Sequence, residues 1–414
     1  MRLLVYGHWS HTGFGVVTEA LGTRLVNMGV DVRVLAMNHR GEPVKGPLAN
    51  RVYPLGLLEQ HFNRPHVLAV NGVLWQALDH EDDWRPDAVL VIADVSGLRG
   101  YVSDDFDAWK DIPAYHYCPI EGDDLPPLWR GIWSLVQPVA MSDYGARVMG
   151  ELLGREVPRI FHGVDTESFY PVSPGKPIRW DGGTLRSKAD CKDKFGIPAT
   201  TNVLLRADRN VVRKNYDALL RSFAQVAQAE PDTWLVLHCR PIDRDGQDLR
   251  QELTKLPDDV RTLVKFTDAH DTFRGLPVAG LNALYNAADV YVSTTGGEGF
   301  GLTLAESLAA GVPVVTNGYA AEVEVVGPGG VIVPPLTDRY GDVITFYNPV
   351  FGMAWSKADE RAFTPAVIDL LRNPKRRREL GDAGRLHVKR SFSWDDAASR
   401  FLELLTLKPA EVAA

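Results

Sequence analysis

With 414 residues, 45% of them hydrophobic and 24% charged, the chain has the composition of a folded globular protein. It is too long for one ordinary core and suits two domains. An excess of 53 acidic over 45 basic side chains gives a net charge of −8, which argues against nucleic acid or an anionic membrane as an obligatory partner.

Met1 to Gly7 is too short an apolar stretch for a signal peptide and reads as a first strand over Leu3 to Tyr6. Gly7 to Gly15 is then a glycine loop feeding an amphipathic helix from Val16 to about Met28, and Val30 to Met37 is the next strand. A dinucleotide fingerprint fails here. Gly13-Phe-Gly15-Val-Val-Thr18 lacks the third glycine, and Asn38-His39-Arg40 lacks the acidic residue that would hold a ribose. What remains is a loop in which Gly15 allows a phosphate or an acceptor to approach the backbone closely, with His8 and His11 beside it.

Strand-like runs follow at Ala88 to Ile92, Ala114 to Tyr117, Pro138 to Met141 and Arg159 to Phe161, the alternation of a parallel sheet wrapped by helices. Pro171 to Pro198, rich in proline and glycine, breaks the pattern and reads as a linker. Strands resume at Asn202 to Ala207, Trp234 to Cys239, Leu263 to Phe266, Ala288 to Ser293 and Val312 to Thr316. The expected fold class is therefore α/β, two Rossmann-like domains with a cleft between them: an N-terminal domain over 1–170, a linker over 171–198, and a C-terminal domain over 199–394. No run approaches the ~18 apolar residues of a membrane span. Cys118, Cys191 and Cys239 are scattered with no C-x-x-C, which fits reduced thiols in a cytoplasmic protein. The basic run Arg372, Lys375, Arg376, Arg377 and Arg378 reads as a solvated helix start, with a lipid or polyanion contact as its alternative. Leu128-Trp129-Arg-Gly-Ile-Trp133, with a single cation, reads as core packing rather than as an interfacial helix.

The most informative stretch runs from Thr294 to Thr316, TTGGEGFGLTLAESLAAGVPVVT. It reads as a glycine-rich loop between a strand and a helix, the helix beginning near Gly301 and ending at Gly311 before Pro313. Backbone N–H groups at Gly301, Leu302 and Thr303 then open a helix N-terminus, which favours an anion. Glu298 precedes this cradle, and Glu306 stands about two turns up the helix. Two carboxylates on either side of a phosphate site suit polyhydroxyl groups on either side of a diphosphate.

The string EGFGLTLAE followed by G-V-P-V-V resembles the signature of glycosyltransferase family 4, retaining enzymes of the GT-B fold. The resemblance implies transfer of a hexose from a nucleotide diphosphate sugar (UDP-, GDP- or ADP-linked) to an acceptor hydroxyl on a sugar, a lipid-linked sugar or another small molecule. It implies no cofactor, no metal, no nucleic acid and at most peripheral membrane contact. It places Glu298 at the donor sugar, Glu306 at the ribose, and Gly299, Phe300, Gly301, Leu302 and Thr303 at the diphosphate. Arg209 and Lys214, five residues apart, match the cation pair that meets the leaving group, with Arg213 in reserve and Arg206 structural. His116 resembles the histidine opposite the donor glutamate, and a last helix over about 395–414 is expected to cross back to the N-terminal domain. His162-Gly-Val-Asp165 departs from the family's Asn-Gly-Val-Asp. Glu121-Gly-Asp123-Asp124 is a candidate for acceptor hydroxyls. The triplets Asp105-Phe-Asp107 and Asp243-Arg-Asp245 are expected by chance among so many acidic residues. The rival readings are a nucleotide-sugar epimerase or a phosphorylase on the same plan, and a non-catalytic nucleotide-sugar-binding subunit.

Overall fold

The computed structural model describes residues 1–10, 12–39, 41–54, 84–98, 112–267, 275–349 and 351–406. His11, Asp105 and Asp107, most of the loop after Phe266, and residues 407–414 lie outside the described residues.

Two parallel sheets carry the fold. The first contains β1 (Arg2–His8), β2 (Asp31–Met37), β3 (Val52–Pro54), β4 (Ala88–Ile92), β5 (Ala114–Cys118) and β6 (Gln137–Ala140), in the order β3-β2-β1-β4-β5-β6; α1 (Gly13–Asn27) follows β1, and α2 (Asp143–Leu153) follows β6. All five residues of β4, AVLVI, are buried, as a strand covered by helices on both faces requires. The run expected as a strand at Arg159 to Phe161 makes only an isolated bridge to Ala140.

The stretch expected as a linker is largely structured. It holds a hairpin, β7 (Ile178–Trp180) with β8 (Gly183–Leu185), and α3 (Lys188–Lys194). Ile178, Leu185 and Cys191 form a small core with Ala283 and Ala287. Its prolines and glycines mark turns, while its apolar residues attach it to the second half.

The second sheet contains β9 (Asn202–Ala207), β10 (Thr233–His238), β11 (Val264–Phe266), β12 (Val290–Ser293), β13 (Val314–Asn317) and β14 (Gly330–Val333). Its order, β11-β10-β9-β12-β13-β14, repeats that of the first sheet. In such a sheet ligands bind beyond the carboxyl ends of the strands, where the strand order reverses. At those ends the loops after β5 and β12, one from each half, meet: a Cβ on Gly299 would lie 2.1 Å from Pro119 Cβ. The second sheet's longer helices and the one that follows β13 are α4 (Tyr216–Ala229), α5 (Val278–Ala287), α6 (Leu302–Ala309) and α7 (Glu322–Val326), with short ones at Leu249–Leu253 and Asp258–Arg261.

A hairpin of β15 (Thr345–Asn348) and β16 (Met353–Ser356) then leaves the second half. The backbones of Asp123 and Ala354 exchange hydrogen bonds of 3.1 and 2.9 Å. Met353 and Trp355 enter the core cluster that holds Leu4, Tyr6 and Val89 of the first sheet. After α8 (Glu360–Arg372) and α9 (Pro374–Ser391), α10 (Trp394–Thr406) packs on α1. Val164 N–H donates to Phe392 O at 3.1 Å, and a Cβ on Gly163 would lie 2.2 Å from Trp394 N. The chain crosses back at a point where only glycine fits. Phe401 is fully buried and meets the Tyr117 ring edge to face at 4.8 Å.

Among the described residues no helix is long and apolar enough to cross a membrane. The three cysteines are free and buried. Because Phe401 joins α10 to the first sheet, Phe401→Ala should cost about 3–5 kcal/mol, read from the urea midpoint of the intact chain; a change below about 1 kcal/mol would show that α10 is not held this way.

Candidate active site

The loop after β12 is shaped by contact with the other half of the molecule. A Cβ on Gly297 would lie 1.8 Å from Glu121 O, and one on Gly299 would lie 2.1 Å from Pro119 Cβ. Glycine is required at both because the backbone after β5 runs directly against this loop. Gly301 has φ of 96° and sits at the N-cap of α6, so α6 begins where the sequence places it. The first N–H groups of α6 have no partner within the helix. From the first half, the start of α1 packs against this one: a Cβ on Gly13 would lie 3.5 Å from Leu302 Cδ1, ordinary van der Waals contact. Gly15 stands in the first turn of α1, where a Cβ would lie 1.9 Å from Ser10 O. Two helix N-termini, one from each half, therefore converge on the same space.

Glu298 lies between two cations. Lys214 Nζ donates to its Oε1 and, at 2.8 Å, to Asp208 Oδ1. Arg213 donates to Glu298 Oε2 at 3.1 Å and to Gly297 O at 2.9 Å. Arg213 also lies 2.5 Å from Glu121 Oε1, which belongs to the first half. The fully buried Arg206 pairs with Asp208 at 2.8 Å. The result is an alternating row, Arg206, Asp208, Lys214, Glu298, Arg213, Glu121, with three positive and three negative groups. Burial alone would push the Glu298 carboxyl up, but Lys214 and Arg213 outweigh it and hold it well below the usual carboxylate range. Burial pushes Glu121 up, an effect that Arg213 partly offsets.

Two other carboxyls are set the opposite way. Glu306, on α6, accepts from Tyr285 Oη at 2.7 Å, and burial pushes it up to about 7. Glu322, at the start of α7, is pushed up to about 8 by burial and by the like charge of Glu298.

The expected site residues do not all meet. Glu298, Lys214, Gly299, Gly301, Leu302, Thr303 and Glu306 share the cleft side of the second half, and Thr303 Oγ1 contacts Asp208 at 3.4 Å. Phe300 turns away, packing its ring against Phe161, His162 and Phe392. Arg209 is 59% exposed at the side chain and binds Asp243 and Asp245 at 2.9 and 2.7 Å rather than Glu298. The Asp243-Arg-Asp245 triplet thus holds a guanidinium. His116 is fully buried, and both ring nitrogens are engaged: Nδ1 accepts from Trp133 Nε1 at 3.0 Å, and Nε2 donates to Ala93 O at 3.0 Å. Burial lowers it to about 4, so it is neutral and supports the strand end rather than the cleft. His8 stacks on Phe14 at the start of α1. His162 stacks on Trp394, while Tyr117 Oη donates to Ile160 O and accepts from His162 Nδ1–H. This is an aromatic support for the crossing point.

Arg213, held in reserve in the sequence, and Glu121, offered there for acceptor hydroxyls, meet in one ion pair that the sequence did not show. Arg213 adjoins Lys214 in sequence, but the short turn before Asn215, with φ of 49°, brings both side chains to one carboxylate. Pairing across two domains leaves no trace in spacing.

The matching strand orders, with their carboxyl ends on one cleft, define a GT-B protein. The chain matches, over residues 187–387, the family model described as glycosyl transferases group 1, in keeping with its resemblance to glycosyltransferase family 4. It is 28% identical to the GDP-mannose-dependent monoacylated alpha-(1-6)-phosphatidylinositol monomannoside mannosyltransferase of Corynebacterium glutamicum, over 60% of this chain and 55% of that protein. It is 31% identical to a D-inositol 3-phosphate glycosyltransferase of Thermomonospora curvata, over 59% and 53%. With these two the matched stretch spans only about half of the relative. A D-inositol 3-phosphate glycosyltransferase of Kineococcus radiotolerans is 28% identical over 95% of this chain and 89% of its own. In fold, the chain is similar to sucrose-phosphate synthase from Thermosynechococcus elongatus, with a TM-score of 0.72 at 18% identity over 98% of each chain. It is also similar to a glycosyltransferase from Rickettsia africae, with a TM-score of 0.68 at 14% identity over 99% of this chain and 98% of that one.

Glu306 binds its proton more tightly folded than unfolded, so its contribution to stability is full below about pH 4.5 and is lost as pH rises through about 7. Between pH 5 and 8, Glu306→Gln should therefore lose less stability than the wild type, by up to roughly 3 kcal/mol, in urea titrations. Parallel pH profiles would show that Glu306 is not buried as described.

Proposed function

We propose that the protein is a retaining hexosyltransferase that moves a sugar from a nucleotide diphosphate sugar to an acceptor hydroxyl without a metal. The second half, 199–394, binds the donor, and the first half, 1–170 completed by the last helix, binds the acceptor. The observation that carries this reading is the ionised, buried Glu298 clamped by Lys214 and Arg213 next to the N-terminus of α6. A fixed carboxylate there accepts hydrogen bonds from sugar hydroxyls, and the helix amides beside it face the diphosphate.

The row of six charges supports a division of labour among the cations. It sums to zero, so the two negative charges of a diphosphate need positive charge from outside it. The amides of α6 supply part. Arg209, turning from Asp243 and Asp245 at the rim, supplies the rest, while Lys214 exchanges a carboxylate for a phosphate oxygen. As the glycosidic bond breaks, these groups meet the charge that develops on the leaving phosphate. The acceptor attacks from the same face, and its proton passes to that phosphate. Glu306, neutral or ionised near pH 7, receives the ribose hydroxyls. GDP-mannose is the first donor to test because two of the matched relatives are named for it, with UDP-glucose second. A hydroxyl on an inositol or inositol phosphate is the first acceptor class.

Product NMR should show the donor's anomeric configuration retained, and turnover should be unchanged in EDTA. Inversion or loss of turnover in EDTA contradicts the reading. Glu298→Gln should lower kcat by about 10²-fold or more with little change in GDP or UDP affinity; equal losses in both would instead assign Glu298 to nucleotide binding.

A further inference from the structure

The backbone of Glu298 is held from one side by a short segment that plays no part in the chemistry described so far. Glu298 N–H donates to Glu322 Oε2 at 3.0 Å, and Glu298 O accepts from Ala321 N–H at 3.2 Å. The other oxygen of Glu322, Oε1, accepts from Tyr319 N–H at 3.3 Å. Glu322 is fully buried, so no substrate atom reaches it. The same segment grips the first half of the molecule. Tyr319 Oη donates to Asp123 Oδ2 at 2.6 Å, and Asp123 Oδ1 accepts from Tyr144 Oη at 2.8 Å. Glu324, two residues further on, accepts from the N–H groups of Asp143 and Tyr144 at 2.8 and 2.6 Å, capping α2.

We propose that Glu322 is a positioning residue for Glu298, fixing the peptide that carries the donor-facing carboxylate and tying its place to the Tyr319–Asp123 contact between the two halves. The chemical requirement is specific. Two N–H donors converge on the two oxygens of one buried side chain, so both oxygens must accept, which a carboxyl group does whether ionised or protonated because its O–H oxygen keeps its lone pairs. Glutamine has the same shape but offers only one acceptor and turns an NH₂ group toward the other N–H. A residue needed only to fill the space would tolerate that exchange; a residue that holds a peptide in register would not. The second half then presents Glu298 correctly only when residues 319–324 are seated against Asp123 and α2.

The inference rests on Glu298 acting in turnover, and the test separates the two. Turnover is read as release of nucleoside diphosphate from GDP-mannose or UDP-glucose, whichever the wild type uses, with water as acceptor if no other is supplied. Glu322→Gln should lower kcat by 10- to 100-fold while the Kd for GDP or UDP stays within about threefold and the melting temperature within a few degrees. Combined with Glu298→Gln it should add little further loss, because both act through one carboxylate. Tyr319→Phe, which keeps the N–H and removes the hydroxyl's bonds to Asp123 and Tyr144 of the first half, should lower kcat several-fold with unchanged nucleotide affinity, and serves if Glu322→Gln folds poorly. Wild-type turnover in Glu322→Gln, or losses that multiply in the double variant, overturns the positioning role alone. Wild-type turnover in Glu298→Gln overturns the reading on which it rests.

Discussion

The contact between the Gly296–Gly299 loop and the Pro119–Glu121 backbone is the constraint from which the rest of the site follows. Backbones from the two halves approach so closely that a Cβ on Gly297 would overlap Glu121 O. That approach puts a carboxylate of the first half and one of the second on the same guanidinium, Arg213. Burying so many charges is tolerable only because each has an opposite neighbour. The consequence is a charge-balanced cleft, which under the proposed function redistributes its own ion pairs when a diphosphate enters.

The two halves are also joined away from the cleft, by α10 crossing to α1 and by the hairpin β15–β16, whose Met353 and Trp355 lie in the first half's core. Glu324 at the start of α2 and Tyr319 at Asp123 sit between joint and cleft, so a shift at either one reaches Glu298 through Glu322.

Much of the fold was legible in the sequence because a parallel sheet buried on both faces writes itself as apolar runs such as AVLVI and ADVYVS. The helix after Gly301 was legible for a different reason: a left-handed cap and a proline stop leave residue-type marks. The marginal strands were not. The run 345–356 is half-exposed on one strand and becomes a hairpin only by packing on another domain. The linker's turn residues hid the apolar contacts of Ile178 and Leu185. In the site, Glu298, Glu306 and Lys214 stood out through their motif, whereas Arg213 with Glu121, and the Glu322 clamp, depend on approaches between distant segments that no local spacing encodes. His116 illustrates the converse: a strand-end histidine reads as functional, but Trp133 and Ala93 O occupy both of its nitrogens.

The central claim is that Arg209, standing outside the balanced row, supplies charge for the diphosphate. Calorimetric affinities of the wild type and Arg209→Ala for GDP or UDP, each against the corresponding nucleoside monophosphate, test it most directly. The account predicts about a tenfold or greater loss for the diphosphate with the monophosphate nearly unchanged. Equal affinities of wild type and variant for the diphosphate would contradict it.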